Sequence, residues 1–108
     1  MDARPKTELW IGAAIRTYAG LGVPTTVARK GAAELGSVLI KLNGLDQGCR
    51  VYVQTRRDDD RLEWTTADGP PQKEGDADAR IAREVARDPD LWVLEIEDRQ
   101  MRLMLPPL

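Results

Sequence analysis

The sequence predicts an α+β domain: a mainly antiparallel sheet of four to six strands with two helices, with room for one helix on each face and so for three layers. Two stretches, Thr7 to Ala19 and Asp76 to Arg87, carry apolar residues at helical spacing. Between and after them the apolar period falls from about 3.6 to about 2, the period of a strand with one buried face. Turn dipeptides such as Asn43-Gly44 and Gln47-Gly48 join strand-like runs over short distances, which favours antiparallel neighbours.

Residues 1–6 are charged, contain Pro5 and read as a loose lead-in. Thr7 suits a helix N-cap, and Glu8 suits the positive end of the helix dipole. Glu8, Gly12, Arg16 and Gly20 fall four apart in one narrow polar or small stripe. Leu9, Trp10, Ile11, Ala13, Ala14, Ile15 and Tyr18 cover the rest, so this helix should lie deep in the fold. Gly20, Gly22 and Pro24 end it. Val23 to Lys30 and Ser37 to Leu42 predict strands. Arg50–Arg56 and Arg61–Thr66 alternate on either side of a charged turn and predict a hairpin. Asp68 to Gly75 contains Gly69-Pro70-Pro71 and predicts a loop. Asp76 is the expected N-cap of the second helix. The apolar stripe Ile81, Ala82, Val85 and Ala86 suits a surface position, and Pro89 stops the helix. Leu91 to Glu97 predicts a strand and Met101 to Leu105 a short last one, with 106–108 loose. No composition break divides the chain, so 1–108 is expected to be one domain.

Composition excludes several classes of chemistry. Sixteen basic and 18 acidic residues give a formal net charge of −2, which argues against a nucleic-acid partner. With no histidine, Ser-His and Cys-His catalysis and His-ligated zinc are ruled out. Cys49 is the single cysteine, so neither an intrachain disulfide nor a cysteine-zinc cluster can form. A lone cysteine fits a reducing compartment, hence an expected cytoplasmic location. The longest apolar runs are far short of a membrane span, and Met1 to Lys6 is not followed by the apolar run of a signal peptide. No metal and no cofactor are expected.

The remaining chemistry rests on carboxylates and arginines. Glu95 and Glu97 project from one strand face, and paired carboxylates can do acid–base work when one is kept protonated. Arg16 is the candidate arginine for such a catalytic site. The favoured reading of Glu95 and Glu97 is plainer: cross-strand pairing with the abundant arginines. Arg50, Tyr52, Gln54 and Arg56 share another face, expected near Lys41 and Arg61. Arg50, Tyr52, Arg56 and Arg61 are therefore the candidates for binding nucleic acid. A solvated face explains them as well. Asp58-Asp59-Asp60 lies among arginines and reads as a solvated turn. Gly31 and Gly36-Ser37 have the glycine spacing of a phosphate loop but lack its lysine and lead into a strand, so they read as a turn. Trp10, Trp64 and Trp92 are expected in the core. Asp88-Pro89-Asp90 is expected to be a structural corner.

Several of these segments together resemble a family of short bacterial proteins catalogued as a domain of unknown function. The resemblance lies in Thr7-Glu8-Leu9-Trp10-Ile11 with Arg16, in Arg29-Lys30-Gly31 and in Gly36-Ser37-Val38-Leu39-Ile40-Lys41. Its most specific piece is Asp88-Pro89-Asp90-Leu91-Trp92-Val93, followed by Glu95 and Glu97-Asp98-Arg99. The loop between Gly31 and Gly36 is less acidic than the family pattern. The resemblance covers nearly the whole chain and implies a bacterial cytoplasmic protein with a compact layered domain. It implies no activity, substrate or active site.

The leading functional expectation is a small non-catalytic interaction or regulatory domain. The alternatives are a carboxylate-based, metal-assisted enzyme on Glu95 and Glu97, then a nucleic-acid binder. Met101, Leu103, Met104 and Leu105 make an apolar C-terminal segment. It is expected either to pair beside the Leu91–Glu97 strand or to join a second copy or another protein.

Overall fold

The structure is a computed structural model that describes residues 6–32 and 36–107. Seven regular elements follow in order: α1 (Lys6–Ala19), β1 (Thr25–Arg29), β2 (Val38–Asn43), β3 (Cys49–Arg56), β4 (Leu62–Thr65), α2 (Glu74–Arg87) and β5 (Trp92–Glu97). A short 3-10 turn, Leu45–Gln47, joins β2 to β3. The five strands form one sheet in the order β1-β5-β2-β3-β4. All neighbours run antiparallel except β2 and β5, which are parallel at the centre, from Val38 beside Trp92 to Asn43 beside Glu97. The fold is thus α+β with a mostly antiparallel sheet, and the two helices lie on opposite faces.

Strand alternation assigns the faces. Val38, Ile40 and Leu42 of β2 and Trp92, Leu94 and Ile96 of β5 pack with Ile11, Ala14 and Tyr18 of α1. Leu39 of β2, Cys49 and Val51 of β3, and Leu91 and Val93 pack with Ala77 of α2, with Ile81 and Val85 half buried beside them. Both faces of β2 are covered, so all six of its residues are buried. Trp92 is in the core; Trp10 and Trp64 lean on it from the side, with ring centroids 5.5 Å apart.

Several expectations are corrected. Helix α1 is not buried around its girth: only Ile11, Ala14 and Tyr18 are buried, because one face meets the sheet while Arg16 and Thr17 face solvent. Thr7 lies inside the first described turn, where its hydroxyl donates to the Gly36 carbonyl oxygen at 3.1 Å. Helix α2 starts at Glu74, with Lys73 rather than Asp76 at the cap. The segment Met101–Leu105 is not a strand. It cannot pair beside β5, because β1 and β2 already occupy both edges of that strand. Instead Met101, at φ 53°, turns the chain across the α1 face. There the Tyr18 hydroxyl donates to the Arg102 carbonyl (2.7 Å) and accepts from the Met104 N–H (2.8 Å). Trp10 Nε1 donates to the Pro106 and Pro107 carbonyls at 3.2 and 3.1 Å. The lead-in 1–5 and residue 108 lie outside the described residues, as do 33–35 of the glycine loop.

Candidate functional site

A lysine in the middle of a fully buried strand needs an explanation, because its charge must be satisfied where it sits. Lys41 points to the α2 face between Leu39 and Asn43. Its side chain is 7 % exposed, and its Nζ lies 2.7 Å from Glu74, 2.8 Å from Asp78 and 3.7 Å from Glu95. Three features deliver these groups. The parallel register sets Glu95 of β5 beside Lys41. Gln72 exchanges two main-chain hydrogen bonds with Cys49, which brings the start of α2 against the sheet. Glu74 and Asp78 are four apart on α2, so both face the same way. Asn43 completes the cluster. Its Nδ2 donates to Glu74 and Glu95, both at 3.2 Å, and its Oδ1 accepts from the Leu45 N–H at 2.9 Å.

Burial pulls the Lys41 ammonium toward neutrality, but hydrogen bonds to Asp78 and Glu74 and the charge of Glu95 outweigh it. Its pKa therefore ends above the ordinary 10.5. A nucleophilic or basic lysine needs the opposite shift. The ammonium also stands at the centre of the carboxylates, where a cation would otherwise sit. Among the described residues no group of three or more Cys, Asp or Glu is arranged to hold a metal ion. Cys49 lies under the same face as a buried thiol, and burial raises its pKa, so it is a poor nucleophile.

The structure separates the catalytic candidates. Glu95 belongs to the Lys41 cluster; Glu97, on the same side of β5, is exposed. Arg16 is exposed on α1, across the sheet from both, so the three do not meet. The partner of Glu95 is a lysine and an asparagine rather than an arginine. Lys41 and Asn43 were missed as partners of Glu95 because the parallel pairing of β2 with β5 joins segments far apart in sequence. Their signal was two polar residues, Lys41 and Asn43, at alternate positions in an apolar strand.

The binding candidates are also divided. Tyr52 is half buried against the α1-side core, so its ring is not an open stacking platform. Arg50 donates to the Gly69 carbonyl at 2.9 Å, and Arg56 to the Asp60 carbonyl at 2.8 Å. Arg61 lies 3.7 Å from Asp59. Lys41 is on the opposite face from Tyr52, not beside it as expected, because Lys41 pairs with Val51 and Ile40 with Tyr52.

A second polar group anchors the tail. The buried Asp98 accepts from the Gln100 and Arg102 N–H groups and from Arg102 Nε at 3.0, 3.1 and 2.9 Å. The Arg102 guanidinium, followed by these N–H donors, holds its carboxyl below the usual range despite burial. The phosphate-loop spacing of the glycines has a packing cause: a Cβ on Gly31 or Gly36 would strike the Asp90 carbonyl oxygen and the Trp92 ring. Asp88 accepts from the Asp90 N–H at 3.1 Å, and Arg29 donates to the Leu91 carbonyl at 2.7 Å. Segments carrying the sequence resemblance therefore converge on one corner, at Gly31, Gly36 and Asp88 to Trp92.

Two helices on opposite faces of a five-stranded mixed sheet define the class. The chain belongs to the family described as protein of unknown function (DUF1491), whose model matches residues 6–106. It is similar to the crystal structure of a DUF1491 family protein from Caulobacter crescentus: identity is 38 %, TM-score 0.81, and 93 % of this chain and 95 % of that one are covered. An NMR structure of a DUF1491 family protein from Caulobacter crescentus matches at 36 % identity and TM-score 0.82, over 98 % and 96 % of the chains. A solution structure of a protein from A. tumefaciens matches at 27 % identity and TM-score 0.71, over 87 % and 86 %. No curated protein matches the chain.

Proposed function

We propose that this chain is a small non-catalytic interaction domain of a bacterial cytoplasm. One contrast carries the reading. Its best-placed charged groups are spent on holding α2 to the sheet, while apolar side chains collect on the outside. Leu62, Leu103 and Met104 are 40, 37 and 45 % exposed. Leu62 and Leu103 line one groove with Trp64, Leu105, Pro106 and Pro107, with Glu63 as its one charged residue. Exposed apolar surface of this kind suits a protein partner. Relatives from Caulobacter crescentus and A. tumefaciens, and the single buried thiol, support the bacterial and cytoplasmic parts. No helix among the described residues is long and apolar enough to cross a membrane.

Cross-linking in living cells, followed by mass spectrometry, tests this. The intact chain should form protein cross-links that Leu103→Glu with Met104→Glu abolishes and Glu95→Gln leaves in place. The reading fails if no protein is cross-linked, or if the tail variants keep the same cross-links.

A further inference from the structure

We propose that Tyr18 is the positioning residue of the exposed apolar surface: its hydroxyl clamps the main chain on both sides of Leu103, so that Leu103 and Met104 are held outward in one arrangement. This rests on the interaction-domain reading and names what keeps its surface in place. The segment Met101–Leu105 belongs to no helix or strand, so its main-chain groups must find partners elsewhere. Tyr18, near the end of α1, satisfies two of them from a fully buried position. A phenolic hydroxyl can donate and accept at once. Here it donates to the Arg102 carbonyl at 2.7 Å and accepts from the Met104 N–H at 2.8 Å. Leu103 is the residue between those two bonds. Burial pushes the Tyr18 pKa up, so the hydroxyl keeps the proton that it donates.

The segment's apolar side chains are sorted around this clamp. Met101 and Leu105 pack on the α1-side core, while Leu103 and Met104 remain exposed. An unclamped run of these four residues would sample many arrangements, and ordering it would cost a partner affinity. Asp98 fixes the start of the segment. Its carboxylate accepts from the Arg102 N–H and Nε, and its main-chain carbonyl from the Met101 N–H at 2.8 Å. Those bonds stop at Arg102, and the Tyr18 hydroxyl reaches past Leu103 to Met104. Packing α1 on the sheet needs only the ring of Tyr18; presenting Leu103 uses the hydroxyl.

Tyr18→Phe in the full chain keeps the ring and removes only the hydroxyl. Circular dichroism and urea unfolding establish that it folds, and cross-linking in cells reads the surface. The folded variant should lose protein cross-links by about fivefold or more, the effect of one hydrogen bond. Val51→Ala, on the α2 side of the sheet, controls for lost stability alone and should keep them. In the intact chain the Met104 N–H should exchange slowly with water although it lies in no strand. In Tyr18→Phe it should exchange about fivefold faster or more, with the Leu94 N–H of β5 less affected. A Met104 N–H unprotected in the intact chain would overturn the proposal, whether or not the variant folds. So would a folded Tyr18→Phe that keeps its cross-links, or a Val51→Ala that loses as many; in both cases the interaction-domain reading would stand. An intact chain without tail-dependent cross-links would defeat that reading, and the positioning role with it.

Discussion

Gly31→Ala is expected to destabilise the protein by about 3 kcal/mol, the upper range for overpacking, because the clash is with main chain on a fixed corner. A Cβ there would run into the Asp90 carbonyl oxygen, the Leu91 carbonyl carbon and the Trp92 ring together. None of these can swing aside. The Asp90 carbonyl accepts the Ala32 N–H at 2.9 Å, the Leu91 carbonyl accepts Arg29 at 2.7 Å, and Trp92 Nε1 donates to the Ala32 carbonyl at 2.7 Å. Relief would mean lifting the loop off Asp88–Trp92 and losing those bonds. Gly75→Ala is the control: a Cβ there meets nothing within 4 Å, and the residue is helical, so that variant should be as stable as the parent or slightly more so. Urea unfolding of both variants checks the pair. A Gly31→Ala protein as stable as the parent would mean that the loop does not pack on this corner.

Lys41→Ala is expected to cost about 3 kcal/mol, and Lys41→Met about half of that. The alanine empties a site that is 7 % exposed and leaves Glu95, whose side chain is 24 % exposed, without its cation and with the Asn43 amide as its remaining donor in the cluster. Glu74 and Asp78 are more than half exposed and can turn to water, which keeps the loss below that of a fully buried pair. Methionine restores most of the buried stem but not the ammonium. The sign of the pH dependence follows from the raised pKa of Lys41. Its contribution is fully present below the unfolded midpoint near 10.5 and is lost as pH rises through the higher folded value. Denaturant midpoints near neutral pH therefore capture the whole effect. A Lys41→Met protein more stable than the parent would mark the lysine as retained for chemistry rather than for the fold.

The elements were legible in the sequence because each obeys a local period: 3.6 for the helices, 2 for the strands, with Gly and Pro at the breaks. The hairpin of β3 and β4 was legible for the same reason, since its pairing is local. The placement of β5 between β1 and β2 was not, because no local pattern records which distant strand lies alongside. Two errors follow from that. The tail Met101–Leu105 has strand-like composition but no free edge of β5 to join, and Glu95 found Lys41 across a parallel pairing rather than an arginine across a hairpin. The readings of the Asp58–Asp60 turn and of the glycine loop as structure rest on local chemistry: neighbouring arginines for the one, a missing lysine for the other.

The Lys41 cluster ties α2 to the sheet rather than forming a reactive centre, and the ionisation of that one side chain tests this most directly. Nitrogen-15 NMR of the lysine ammonium groups, with Lys41 assigned by its loss in Lys41→Met, follows the charge across pH. The expected result is a persistent Lys41 ammonium signal, slow to exchange with water and still protonated at pH 10.5, where an ordinary lysine is half titrated. A Lys41 that lost its proton at about pH 7–8, the range to which enzymes tune a catalytic lysine, would contradict a structural tie and place chemistry at this cluster.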